Sequence, residues 1–441
     1  MKCIPVILFF FFNSFQSFAG KITGSITDEL GNPLSYASIS IKGTTKGTNA
    51  NSEGKYFLQL DPGTYTLVCH HVGYASKEKK ITVTTLDQEV NFELALQELI
   101  LNEVRITSGT DPAYEIIKKA IEKRNYYRDL LDKYQCEVYT KGQLSVRDYP
   151  KKILGIKVDF EDGDTSKKKI LYLSETISRY SVDKPNKERV EVISSKVSGN
   201  QASYGLAAPN QISFYENNVF IGDKESPINP RGFISPIADK AIYYYRFRFQ
   251  GSFIEDGRLI NKIKVIPRRK YEPLFSGYIN IVEDDWLIHS LQLVLTKESQ
   301  MEFLDTLKLE QVYVPLEKDK WVISSQVIYP AIKILGFDAH GSFVNVYSKF
   351  NINPDFSTKF FDNTIINYQQ GSNKKENDYW ESARPIPLRE EEVSDYRVKD
   401  SLEIIKKDPH YMDSLDRVRN KVTAMGALLF GQTFSMQRKK V

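Results

Sequence analysis

From Tyr134 onward, apolar and charged side chains alternate in repeated short runs, the period-two pattern of a strand with one buried and one wet face. Phe247 and Phe249 alternate with Arg246, Arg248 and Gln250; Ile263 and Val265 alternate with Lys262 and Lys264; Leu307 and Leu309 flank Lys308. Leu291, Leu293 and Leu295 continue the pattern. Short polar turns such as Glu283-Asp284-Asp285 and Glu317-Lys318-Asp319 separate the runs, which predicts a long antiparallel meander from about Gly251 to Asn351. A meander this wide curls and leaves a concave apolar face. The 26 Tyr and 25 Phe, interleaved with Lys and Arg, suit strands of this half-buried kind.

Ahead of this region lies a run of shorter strands: Ile22–Thr27, Tyr36–Ile41, Tyr56–Leu60, Thr64–His70, Lys80–Thr84 and Val90–Leu94. Turn formers separate them, namely 28–33, Asn51-Ser52-Glu53-Gly54 and Asp61-Pro62-Gly63. Even spacing of short strands predicts a β-sandwich over residues 20–96. Gly24-Ser25-Ile26-Thr27-Asp28, Gly31-Asn32-Pro33-Leu34, Gly54-Lys55-Tyr56, Pro62-Gly63-Thr64-Tyr65-Thr66-Leu67 and Gly73-Tyr74 resemble the carboxypeptidase-regulatory-like domain. The resemblance implies a transthyretin-like fold of seven strands and a non-catalytic accessory role. The fold class expected for the whole chain is therefore mainly β: this sandwich, then an α+β domain dominated by a long curved antiparallel sheet.

At the N-terminus, Lys2 precedes the apolar run Ile4–Phe12, and Ser17-Phe18-Ala19 precedes Gly20. That pattern is a signal peptide over residues 1–19 cleaved after Ala19, because the run is shorter than the roughly 20 residues needed to span a bilayer. The mature chain is expected to begin near Gly20 and to be soluble up to its last residues. Cys3 falls inside the leader and no Cys follows the cut, so a lipid anchor there is not expected. Cys69 and Cys136 remain, too few for a disulfide scaffold, and Cys69 reads as a buried thiol. With 60 basic and 56 acidic residues the charge is nearly balanced, and nothing points to nucleic acid.

Residues 97–110 read as a linker. The stretch from Leu99 to Gly109 resembles the segment that joins such sandwiches to the plug of TonB-dependent outer-membrane receptors, although the chain from Asp111 onward departs from a plug. Asp111-Pro112 caps a helix whose apolar face is Ile116, Ile117, Ala120 and Ile121, ending near Arg124. It opens an α+β domain over residues 111–360. Gly277-Tyr278-Ile279-Asn280-Ile281, then Trp286-Leu287-Ile288-His289 and further strands, is similar to the half-barrel of periplasmic lipoprotein carriers, which would allow a greasy groove for a lipid. The concave face is otherwise filled by the chain's own helix or a neighbouring domain.

Four phrases, Asp111–Ile121, Phe214-Tyr215-Glu216-Asn217, Ser235-Pro236-Ile237-Ala238-Asp239 and Trp380–Leu388, resemble an uncharacterised Bacteroidota envelope family. In that family the sandwich and a domain of unknown function precede an outer-membrane β-barrel. Arg384-Pro385-Ile386-Pro387-Leu388 followed by Glu390-Glu391-Glu392 is the most specific piece. Residues 361–441 are expected to be an irregular segment before the place of the barrel. After Ala424–Gly431 and the basic tail Gln437–Val441 too few residues remain, since eight strands need on the order of 80. A natural barrel-less form and the loss of a barrel both stay open.

Chemistry is sparse. A zinc carboxypeptidase needs His and Glu three residues apart, and none of the five histidines has Glu at that spacing. No Gly-x-Ser-x-Gly elbow, phosphate loop or Cys-x-x-Cys pair is present. His70-His71 reads as a strand end, with a surface metal pair as the alternative; His289 beside Trp286 reads as packed; Arg268-Arg269-Lys270 with Tyr271 reads as a solvated turn that could meet lipid headgroups. A hydrolase would need a polar enclosed pocket around His289 or His340. The expectation is a non-enzymatic protein without catalytic, cofactor or metal residues, in the periplasm or at the outer membrane. It would serve as a binding or assembly platform for envelope proteins, with a periplasmic lipid carrier as the alternative.

Overall fold

The computed structural model describes residues 20–100, 111–153, 156–158, 160, 166–200, 203–206, 211–222, 228–301, 304–317, 319–361, 364–406 and 408. The leader, most of the linker and the tail read from the sequence lie outside these residues.

The sandwich is built from β1 (Gly20–Asp28), β2 (Ser38–Ile41), β3 (Gly47–Asn49), β4 (Lys55–Leu60), β5 (Gly63–His70), β6 (Lys77–Val83), β7 (Gln88–Glu89) and β8 (Phe92–Leu94). One sheet has the order β4-β1-β7 with β8 also on β1, the other β3-β2-β5-β6. The strand expected at Val90–Leu94 is interrupted: β7 and β8 both run parallel to β1, and at the break the Asn91 side chain accepts the Ser25 N–H at 2.7 Å. The short polar strand β3 carries no apolar alternation and escaped the sequence reading. Ile22, Ile26, Ile39, Leu67 and Phe92 form the core between the sheets, with Cys69 among them.

The second region contains α1 (Ala113–Asp129), β9 (Lys133–Asp148), a small hairpin of β10 (Lys152–Ile153) and β11 (Ile156–Lys157), β12 (Lys169–Asp183) and β13 (Lys187–Val197). A second small hairpin follows, β14 (Asn218–Val219) with β15 (Phe233–Ile234), and then the short helix α2 (Ala241–Tyr244). The meander comprises β16 (Tyr245–Glu255), β17 (Arg258–Pro267), β18 (Ser276–Val282), β19 (Ile288–Thr296), β20 (Thr306–Pro315), β21 (Trp321–Ile334) and β22 (Phe337–Asn351). The strands β16 to β22 pair in chain order, and β9, β12, β13 and β23 (Ile366–Tyr368) extend the sheet on the β22 side to eleven strands. Only β23 joins in parallel. The expected meander is thus present; its first strand, β16, holds the expected start at Gly251 and begins about six residues earlier, at Tyr245.

The inner face of the sheet is covered, and the outer face is covered over part of its width, with Arg246, Arg248 and Lys264 of β16 and β17 left exposed. The inner face (Ile263, Val265, Ile279, Leu291, Leu293, Leu309) packs against Ile117 and Ala120 of α1 and against Phe214, Phe233 and Ile237 from the connection between β13 and β16. This burial explains α1 better than local propensity does, since helices in proteins are held mainly by an apolar face. Asp111 starts it by accepting the Ala113 N–H at 3.0 Å. The helix runs past Arg124 because that side chain is buried, donating to the Tyr215 carbonyl at 2.6 Å and to Asp239 at 2.7 Å.

The outer face (Ile177, Val327, Val344, Val346) is covered by Tyr36 of the sandwich and by Trp380 and Ile386. Residues from 361 on, expected to be irregular, carry β23, α3 (Asn377–Ala383) and α4 (Glu390–Lys406). Helix α4 buries only Glu392 and Tyr396, so it shows little apolar periodicity. Its legible signal is the acidic first turn Glu390-Glu391-Glu392, which suits the positive end of a helix dipole. Among the described residues no helix is long and apolar enough to cross a membrane.

Candidate functional site at the seam between sandwich and sheet

The sandwich is joined to the outer face of the sheet by polar contacts that the sequence places hundreds of residues apart. The Tyr36 and Ser342 hydroxyls are 2.8 Å apart, and Asn49 Nδ2 donates to the Tyr36 carbonyl and to Ser325 Oγ, both at 2.8 Å. Thr48 donates to the Pro385 carbonyl, linking the sandwich to the C-terminal segment. Asn49 and Thr48 are almost fully buried, so these bonds satisfy groups that would otherwise be costly to desolvate.

At one end of the seam, His70 from β5 meets Glu255 from β16: Nδ1 lies 3.0 Å from Oε1. His289 of β19 stands on the other side of the same carboxylate, Nε2 3.7 Å from Oε2, and its ring is 5.4 Å from that of His70. Phe253 and Trp321 wall the cluster. Burial works against a charged His70, but the Glu255 carboxylate outweighs it and raises the pKa of the imidazole. Burial also opposes the Glu255 charge, yet His70 and His289 bring that carboxyl down to about 2. Burial dominates at His289 and lowers it to about 4, so this ring is neutral at pH 7 and its contact with Glu255 is no ion pair there. The charged unit is His70 with Glu255.

Next to it, a shallow recess of about 270 Å³, counted with its open mouth, is lined by Tyr36, His70, His71, Val72, Glu310 and Ser325. Glu310 is already occupied, accepting from Gln292 Nε2 at 2.7 Å and the Tyr329 hydroxyl at 3.1 Å with Lys308 Nζ also 3.1 Å away. His71 stacks edge-on to Tyr74, and burial keeps its pKa low. No group of three or more metal-ligating side chains converges among the described residues.

Ser290 Oγ lies 3.1 Å from His289 Nδ1, so hydroxyl, imidazole and carboxylate stand in sequence. Ser290 is 1% exposed and already bonded to Asn280 Nδ2 at 2.9 Å, and the recess beside His70 does not open on it. A nucleophile must reach a substrate carbonyl beside oxyanion donors, and this geometry gives it no such access.

Farther along the outer face, the phrase singled out in the sequence acts as a clamp. Arg384 takes both oxygens of Glu175, and Tyr139 donates to the same carboxylate at 2.7 Å. Lys141 Nζ lies 2.7 Å from Glu392, with both side chains buried. Burial opposes the Glu175 charge, but Arg384 outweighs it and the carboxyl is held low. Trp380 fills the space beside Tyr139 and Val346.

Of the residues weighed in the sequence, His70 and His289 come together and His71 lines the recess with Glu310, while His340 stands apart beside Arg147 and Asp338, with its pKa lowered by burial. Cys69 and Cys136 are free and lie in different cores. Glu283, Asp284 and Asp285 form a turn, in which Asp285 pairs with Arg258 at 2.5 Å. Glu255, Glu175 and Lys141 went unnoticed, since nothing local in the sequence distinguishes them from surface charges.

Comparison with known proteins agrees with this division. Residues 22–106 match the profile of the CarboxypepD_reg-like domain, and residues 116–350 match that of a family of unknown function, DUF5686. Carboxypeptidase Z of Gallus gallus is 34% identical over 62 residues, 14% of this chain and 10% of the relative. TonB-dependent receptor P39 of Formosa agariphila is 31% identical over 107 residues, 22% of this chain and 10% of the relative. The chain thus spans a tenth of the length of either curated relative. A crystal structure of a LolA superfamily protein from Nitrosomonas europaea aligns with 57% of this chain and 97% of its own, at 12% identity and a TM-score of 0.23.

Proposed function

We propose, for a chain that belongs to the family of unknown function DUF5686, a non-enzymatic role in the cell envelope as a rigid platform for binding or assembling other envelope proteins. The observation that carries this reading is the seam: the sandwich, the sheet and the C-terminal helices share one buried outer layer, Tyr36, Val344, Trp380 and Ile386, pinned by buried polar and ionic bonds. Such a unit presents fixed surfaces, and the recess at its seam is shallow. The signal-peptide pattern supports export, and the name of the Formosa relative supports an outer-membrane setting.

The alternative, a lipid held in the concave face, is disfavoured by the side chains of α1 and of the β13–β16 connection that pack there. In-cell cross-linking from surface positions of the sandwich, read by mass spectrometry beside native mass spectrometry of the purified chain, tests the choice. Recurrent cross-links to envelope proteins with a ligand-free chain are expected. A stoichiometric lipid without protein partners would overturn the platform reading.

A further inference from the structure

Successive turns of a meander fall at opposite ends of its sheet, and here the two ends differ in chemistry. The pairings Val265↔Gly277, Thr296↔Thr306, Ile334↔Phe337, Asp338↔Asp148 and Lys169↔Val146 put the β17–β18 turn, the β21–β22 tip, the exit of β9 and the entry of β12 at one end. The opposite end carries the acidic turns Asp256, Glu283-Asp284-Asp285 and Glu317 with Asp319.

At the first end the β21–β22 hairpin outruns its neighbour. Its pairing continues for three residue pairs, about 10 Å, beyond Ala331, the last residue matched to β20, while β9 follows β22 on the other side as far as Asp338, so that the Ile334–Phe337 pair and its turn stand clear of both neighbours. The apex is apolar and wet: Ile334 is 44% exposed and Leu335 75%. Leu335 at φ +49° and Gly336 at φ +85° make the two-residue turn that aims this apex outward. Pro150 packs against Gly336, which sets Tyr149 and the exposed Lys151 and Lys152 beside the tip. Tyr271, 68% exposed, stands in the basic turn Arg268-Arg269-Lys270 at the same end of the sheet, with β19 and β20 between it and the tip. Helix α4 runs along β12 toward the same end, from Glu392 at Lys141 to Lys399 at the Ile170 carbonyl, and its final turn exposes Ile404 and Ile405.

The charges around this apex are not balanced locally. Asp148 pairs with Lys167, Asp338 with Arg147, Glu272 with Arg269 and Glu298 with Lys270. Lys151, Lys152, Lys168 and Lys333 make no ion pair among the described residues. From Arg147 to Lys169 basic residues outnumber acidic ones even with Asp159, Glu161, Asp162 and Asp164 included. Exposed aliphatic side chains ringed by lysines and flanked by tyrosine are what an anionic bilayer surface accepts, the apolar tips entering below the headgroups and the ammonium groups meeting phosphate.

We propose that this end of the sheet docks on an anionic lipid bilayer, with Ile334 and Leu335 as the inserting apex. The proposal rests on the envelope reading and gives it a second partner. It is tested with the full chain by co-sedimentation with vesicles of phosphatidylcholine alone and of phosphatidylcholine with phosphatidylglycerol. Binding to the anionic vesicles is expected, weakened by salt. The double variant Ile334→Thr/Leu335→Asn keeps a β-branched residue in the strand and a residue tolerant of positive φ in the turn, so folding is retained. It is expected to bind about tenfold more weakly, as is Lys151→Glu/Lys152→Glu. Asp284→Asn at the acidic end leaves binding unchanged. Absence of vesicle binding, binding equal on neutral vesicles, or binding that survives both double variants overturns the proposal. Vesicle binding without protein cross-links would instead remove the platform reading and leave this one standing.

Discussion

Arg384 lays its guanidinium across Glu175, with Nε and the second terminal nitrogen 2.5 and 2.7 Å from the two carboxylate oxygens, at a point on the outer face where Glu175 is fully buried. A desolvated bidentate pair adds little net stability over an apolar pair, but breaking it strands a charge. Arg384→Met therefore costs about 3–5 kcal/mol in urea unfolding. Glu175→Gln/Arg384→Met recovers a large part, since the amide still accepts from the Tyr139 hydroxyl. Equal losses in the single and the double variant would count against this account.

The clamp shows which parts of the fold were legible. Period-two alternation disclosed β16 to β22 because one face of each strand meets an apolar core and the other is wetter. The same rule was weak for β9 and β12, whose outer faces lie under the C-terminal segment and carry Lys141 and Glu175 where alternation predicts solvent. Arg384-Pro385-Ile386-Pro387-Leu388 stood out as a phrase, yet its meaning needs the partner residue 209 positions away. The His70–Glu255 pair, separated by 185 positions, left no trace in local pattern. Residue types announce burial; they do not announce which distant charge answers them.

Trp380 is 1% exposed and packs in the outer layer shared by the sandwich, the sheet and α3. Trp380→Ala leaves a cavity there and costs about 3–5 kcal/mol. Because α3 has only seven residues, it has little stability apart from this contact. Amide exchange over residues 377–383 should accelerate more than exchange in β18 or β19; uniform acceleration would mean that the helix is not held by this side chain.

Gly277 sits in β18 at φ +138°, and a Cβ there would lie 2.2 Å from the Gln292 carbonyl oxygen of β19. Gly277→Ala meets both a backbone penalty and a clash with a strand that cannot retreat without losing its ladder bonds. A loss of about 2–3 kcal/mol is expected, against near neutrality for Gly257→Asn in an open turn at φ +73°. Thermal unfolding of the two variants side by side decides it: similar midpoints would show that the close approach at Gly277 is relieved by movement of the strands.

The seam also fixes how stability depends on pH. His289 has its pKa brought down from 6.5 to about 4, so the unfolded chain binds its proton first and stability falls as pH drops from 6.5 toward 4. That loss amounts to about 3 kcal/mol, and burial lowers His71 with the same sign. Glu255, ordinarily near 4.5 and here about 2, adds a further loss below pH 4.5 as its carboxylate is protonated in the unfolded chain. His70 acts oppositely: its pKa is raised, so its ion pair with Glu255 stabilises below pH 6.5 and is lost as pH climbs through the raised value. The sum is a maximum near pH 6.5 with a steeper acid limb. Urea unfolding across this range in His289→Gln should flatten the acid limb between 6.5 and 4 while the alkaline limb persists, because His70 and Glu255 remain paired. An acid limb as steep as that of the unaltered chain would remove His289 as its source.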